Sequence, residues 1–95
     1  MNITKSLDLL QAHKLLSRIL RAGGVSWSQH AIDEMREDDL GETDIVNTLR
    51  CGVVGRGEYK GRYRVETDRV GVVVAFQSEA EVVIVTAWRK RARGR

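Results

Sequence analysis

The first half of the chain repeats its apolar residues at helical spacing. Between residues 5 and 22, Leu7, Leu10, Leu15, Leu16, Ile19 and Leu20 recur close to the i, i+3, i+4, i+7 rhythm of one helical face. Ser6 is placed to cap the start of this helix, and Gly23-Gly24 ends it. A shorter stripe of Ala31, Ile32 and Met35 predicts a second helix from Ser28 to about Arg36. Ile45, Val46 and Leu49 predict a third, with Thr43 as N-cap, Asp44 in the dipole-favoured first turn and Gly52 as the stop.

After Gly52 the period changes from helical to two. Val53–Tyr59, Arg62–Thr67, Val70–Gln77 and Glu81–Trp88 read as strands rich in Val, Ile and Tyr. Their breaks are two or three residues long, which joins antiparallel neighbours and predicts a meander. Helices first and strands second imply an α+β fold, with the N-terminal helices packed on one face of a four-stranded antiparallel sheet. The chain then divides into a helical layer (5–52), a sheet (53–88) and a basic tail (89–95), all within a single domain, 1–95.

The turns suggest a register. With Thr67 opposite Val70 and Phe76 opposite Val82, one face collects Tyr63, Val65, Val70, Val72, Val74, Phe76, Val82, Ile84, Thr86 and Trp88 and forms the floor for the helices. The other face collects Arg62, Arg64, Glu66, Val73, Ala75, Gln77, Val83, Val85, Ala87 and Arg89. A one-residue slip in the last hairpin moves Thr86 and Trp88 to this second, basic face.

Charge sharpens the division into layers. The net charge is +3, but residues 1–50 hold six Lys/Arg against eight Asp/Glu, whereas residues 51–95 hold ten against five. The acidic part is a run through Asp33, Glu34, Glu37, Asp38, Asp39, Glu42 and Asp44, which reads as a solvated helical surface. The basic part points to an anionic partner. The one cysteine, Cys51, excludes an internal disulfide and a multi-thiolate zinc site, and reads as a small packed side chain. The apolar run from Leu7 to Leu20 is interrupted by Asp8, His13, Lys14 and Arg18, so neither a signal-peptide core nor a membrane span fits and the expected location is cytoplasmic.

Nucleic acid is the anion that best suits the pattern. Lys60, Arg62 and Arg64 alternate with Tyr59 and Tyr63, and Arg89-Lys90-Arg91-Ala92-Arg93-Gly94-Arg95 adds five cations in seven residues. Guanidinium forks fit phosphates, and Tyr63 or Trp88 offers a face on which a base can stack. The plainer alternative is a solvated face with a solubilising tail. His30, near a helix start, is the histidine placed for proton transfer, whereas His13 is mid-helix and reads as structural. Thr86 is a hydroxyl in an apolar strand, either a good strand former or a donor to a phosphate oxygen. No triad, phosphate-cradling loop or nucleotide fingerprint is present, and no cofactor or metal is expected.

The order Ser28-Gln29-His30-Ala31-Ile32-Asp33-Glu34-Met35, then Asp44-Ile45-Val46 and Gly52, then a meander ending in Val83-Ile84-Val85-Thr86, resembles the bacterial domain-of-unknown-function family 4258 over roughly residues 25–88. That family begins with a "His-Ala … Arg-Met … Glu-Arg" helix and closes on a "Val-(Ile/Val)-Thr" strand. The resemblance implies the barnase, EndoU, colicin and RelE-like fold of metal-independent ribonucleases, many of them toxins of toxin–antitoxin or effector systems. It aligns His30 and Thr86 with the family histidine and strand threonine as catalytic candidates. Glu34 and Asp38 stand where the family pattern carries arginines, so the phosphate-binding cation must come from Arg62, Arg64 or Arg89, or catalysis has been lost.

The expected function is therefore a toxin-like endoribonuclease in which the ribose 2′-hydroxyl attacks the phosphodiester. His30 moves the proton, Arg62 and Arg64 clamp the phosphate, and Thr86 orients it. Lys60, Tyr63, Trp88, Arg89, Lys90 and Arg91 are the expected RNA contacts, with RNA, ribosome-associated or free, and a cognate antitoxin as partners. A non-catalytic RNA- or ribosome-binding module and an antitoxin- or immunity-like interaction domain are the alternatives.

Overall fold

The computed structural model describes residues 7–90, and in it each apolar stripe of the first half becomes a helix. The order is α1 (Leu9–Ala22), β1 (Gly24–Trp27), α2 (Gln29–Glu37), α3 (Glu42–Cys51), β2 (Val53–Arg56), β3 (Arg62–Glu66), β4 (Val70–Phe76) and β5 (Glu81–Arg89). The cap of α1 is Asp8, whereas Ser6 lies outside the described residues. The Asp8 carboxylate accepts from the Gln11 N–H at 2.8 Å, and the Gln11 side chain accepts from the Asp8 N–H at 3.2 Å. The N-cap of α3 is Gly41 rather than Thr43, and the Asp44 carboxylate reaches back to accept the Gly41 N–H at 2.8 Å.

α2 ends in a Schellman turn. Asp39 takes a left-handed conformation (φ 55°) and the Leu40 N–H donates to the Met35 carbonyl at 2.8 Å. Met35 and Leu40, the pair that this turn brings together, are both buried in the core.

The sheet departs from the expected meander in two ways. It has five strands in the order β1-β5-β4-β3-β2, and β1 runs parallel to β5, pairing Gly24 with Glu81 and Trp27 with Ile84. The α+β class stands, while the purely antiparallel four-stranded sheet is corrected to a mixed five-stranded one. β1 interrupts what reads in the sequence as a continuous helical layer. The predicted hairpin registers are present: Thr67 N–H donates to Val70 O, and Phe76 pairs with Val82.

The second departure lies inside β5. Val73 pairs with Thr86, yet Val74 pairs with Ile84, so Val85 is an extra residue, a β-bulge. Val82 and Ile84 face the helices before the bulge, and Ala87 faces them after it, all three fully buried. Thr86 and Trp88 therefore leave the helix-facing side where simple alternation places them and join the open side. Val85, Ala87 and Arg89 leave the open-face alternation.

The helices pack on one face of the sheet. Leu15, Leu16 and Ile19 of α1, Ala31 and Met35 of α2, and Ile45 and Leu49 of α3 meet Val65, Val72, Val74, Val82 and Ile84. Tyr63 belongs to this interior at 3% exposure. Its hydroxyl accepts from the Leu7 N–H at 2.6 Å and donates to the Leu7 carbonyl at 2.9 Å. Its ring lies 5.6 Å from that of Phe76. Tying the entry to α1 onto the sheet in this way satisfies a phenol that burial would otherwise penalise.

Candidate nucleic-acid interface

The outer face of the sheet takes its shape from the alternation of β3 and β4 and from the bulge in β5. Gly55, Arg64, Val73 and Thr86 form one cross-strand row. Val53, Glu66, Gly71 and Trp88 form the next. Arg62, Ala75 and Val83 form a third, continued by Ser26 of β1. Two arginines, a threonine hydroxyl and an indole thus share one side of the molecule, opposite the helices.

Trp88 lies flat on this face, in its last cross-strand row. Gly71 lies directly across from it, and a Cβ at Gly71 would overlap the indole ring. The ring accordingly lies against bare backbone rather than standing away from the sheet. The guanidinium carbon of Arg64 sits 5.3 Å from the ring centroid, a cation–π contact. Arg64 also pairs with Glu66 at 3.1 Å, and Lys90 pairs with the other oxygen of Glu66 at 3.5 Å.

His30 stands in the first turn of α2, exposed to solvent. The helix start is anchored to the bulge. The Ser28 hydroxyl donates to the Val85 carbonyl at 2.8 Å and accepts from the Ala31 N–H at 3.0 Å, and the Ser28 N–H donates to the Ile84 carbonyl at 3.0 Å. One hydroxyl therefore caps α2 and binds the carbonyl of the bulged residue, which fixes the element carrying His30 against the strand carrying Thr86.

The remaining expected contacts separate by position. Arg62 and Arg64 share the outer face, with Arg64 the more exposed. Lys60 is exposed in the β2–β3 connection, where Arg56, Tyr59, Lys60 and Arg62 help line a cavity of about 230 Å³. Tyr59 is 68% exposed there, so it is the free aromatic of the hairpin. Tyr63 is not: its ring is buried under the helices and cannot stack a base. Arg89 is turned to α2, its side chain donating to the carbonyls of Asp38 at 3.0 Å and Asp39 at 2.9 Å. Its backbone N–H donates to the Asp38 carboxylate at 2.7 Å. A cation on the carbonyl end of a helix is favoured there by the dipole, and this guanidinium holds β5 to α2. Arg91 lies outside the described residues. Cys51 is exposed, not packed.

Sequence reasoning did not single out Ser28, Gly71 or Asp38 for these roles. Ser28 was legible only as the start of α2, and its bond to the Val85 carbonyl depends on the bulge in β5. Among the described residues, no group of three or more His, Cys, Asp or Glu is placed to hold a metal ion. Nor is any helix among them long and apolar enough to cross a membrane.

Helices on one face of a mixed sheet, with no described element on the other, define a fold shared with a chain of the toxin–antitoxin complex RelBE2 from Mycobacterium tuberculosis. The TM-score is 0.52 at 16% identity, covering 73% of this chain and 99% of that one. No curated protein matches the sequence. Residues 27–89 match the family model of a domain of unknown function, DUF4258, and the chain belongs to that family.

Proposed function

We propose that this protein is a toxin-like endoribonuclease that binds single-stranded RNA across the outer face of its sheet. The observation that carries the reading is the β5 bulge, which gathers Thr86, Trp88, Arg64 and Arg62 on one face and is tied through Ser28 to the helix that bears His30. The likeness of the fold to a chain of a toxin–antitoxin complex supports the toxin-like part, in a RelE/barnase-like arrangement, and supports a protein partner.

His30 stands on the helix-bearing side, so in this reading the RNA passes from the outer face round the α2–β5 joint to His30, which removes the proton from a ribose 2′-hydroxyl. The 2′-oxygen then bonds to phosphorus as the bond to the 5′-oxygen breaks. A 2′,3′-cyclic phosphate and a 5′-hydroxyl end result, and the histidine returns its proton to the leaving oxygen. Arg62 and Arg64 offset the charge that builds on the phosphoryl oxygens, and Thr86 orients one of them. Preorganised donors of this kind are typically worth about 3–4 kcal/mol each in the transition state. Lys60 and Lys90 extend the cationic track, and Trp88 stacks a base.

The test is incubation of the purified protein with total RNA in EDTA, beside His30→Ala. The wild type is expected to bind and cut. His30→Ala is expected to bind equally and to cut more slowly by about 100-fold or more. Binding without cleavage would leave a non-catalytic RNA-binding module. Absence of RNA binding would leave an interaction domain for a protein partner.

A further inference from the structure

Among the described residues of the outer face, Glu66 is a carboxylate held between two cations, and its position is informative. Glu66 ends β3 in the same cross-strand row as Gly71 and Trp88. Its Oε2 lies 3.1 Å from an Arg64 guanidinium nitrogen and its Oε1 lies 3.5 Å from Lys90 Nζ. The same Arg64 covers the Trp88 ring. A flat aromatic surface, two cations and an oxyanion between them thus form a single unit.

A carboxylate and a phosphodiester present similar pairs of acceptor oxygens, and a guanidinium fork binds either. An anion between Arg64 and Lys90, beside an aromatic face, occupies the place that the phosphate of a stacked nucleotide would take. We infer that Glu66 is a built-in competitor for a phosphate subsite between Arg64 and Lys90, next to a base-stacking platform on Trp88. This rests on the RNA-binding reading of the outer face and adds where a phosphate sits and which group it displaces.

The side chains of Arg64, Glu66 and Lys90 keep 48%, 32% and 32% of their exposure, so an incoming phosphate can reach both cations. Exposed ion pairs are individually weak. Glu66 is therefore displaceable, and it holds the subsite closed to anions that bring no base to stack. Removing its charge should tighten RNA binding by about threefold to tenfold.

The experiment uses a fluorescent 2′-O-methyl RNA 10-mer, which lacks the attacking hydroxyl and so reports binding alone. Anisotropy titrations at several KCl concentrations compare wild type, Glu66→Gln, Glu66→Ala, Arg64→Ala and the Arg64→Ala/Glu66→Gln pair, each checked for folding by its thermal melt. Both Glu66 variants are expected to bind more tightly, with a log–log salt slope steeper by about 0.7 for each further phosphate that the cations neutralise. The tightening from Glu66→Gln should shrink in the Arg64→Ala background. If the wild type binds RNA and both Glu66 variants bind equally or more weakly, the competitor role is wrong while the RNA reading stands. If neither the wild type nor either Glu66 variant binds, the RNA reading fails and this inference fails with it.

Discussion

Gly71 lacks a side chain where the Trp88 ring needs the space. Replacing it by alanine places a methyl group inside the indole, and the ring must lift off the sheet. Overpacking of this kind costs about 1–3 kcal/mol. Gly71→Ala is therefore expected to lower the melting temperature and to shift the tryptophan emission of the folded protein. On the RNA reading it also weakens binding, since the platform is no longer flat. Unchanged emission and stability would mean that the ring does not rest on this glycine. The sequence marks Gly71 only as a glycine within a strand, which is a general sign of close approach and does not name the approaching group. Tyr63 shows the opposite case. Alternation put it on the helix-facing side, while the chemistry of its basic neighbours argued for RNA contact, and the packing argument prevailed.

At the scale of elements, the decisive feature is the joint between α2 and β5. The sequence contains its parts, since the helix beginning at Ser28 and the β5 run as a strand were both recognisable. What it lacks is the phase of the strand beyond Ile84. Val82 to Val85 are uniformly apolar, so a one-residue shift costs no hydrophobic burial on either side, and alternation leaves open the slip that moves Thr86 and Trp88. The physical reason for the bulge is visible only in three dimensions, where the Val85 carbonyl turns to the Ser28 hydroxyl. Ser28→Ala should lose the cap and leave that carbonyl without its donor, destabilising the protein by about 1–2 kcal/mol. Thermal denaturation of Ser28→Ala beside Ser28→Thr checks this. Thr keeps a hydroxyl and should recover most of the loss, and equal melting of the two variants would separate the hydroxyl from the joint. On the endoribonuclease reading, Ser28→Ala should also slow RNA cleavage more than it weakens RNA binding.

Over the whole molecule, the helix stripes, the hairpin registers and the split of charge between an acidic helical half and a basic sheet half were legible. These follow from spacing and turn length, which are local. β1 was not legible, because Gly24-Val25-Ser26-Trp27 is a four-residue strand directly behind a helix-ending glycine, and its partner lies more than fifty residues away. Its presence has a consequence for association. The family match begins at residue 27, so α1 and the first three residues of β1 lie outside the matched segment. In that segment alone β5 would be the border of the sheet, with a row of backbone N–H and C=O groups open to any extended chain, including a second copy of this protein. β1 occupies that border, and its four residues present a shorter open edge than the nine of β5 would. Val25→Pro, which breaks the β1 ladder while leaving α1 in place, should therefore make the protein scatter light as a heavier particle than the unsubstituted chain, and equal masses would remove this role from β1.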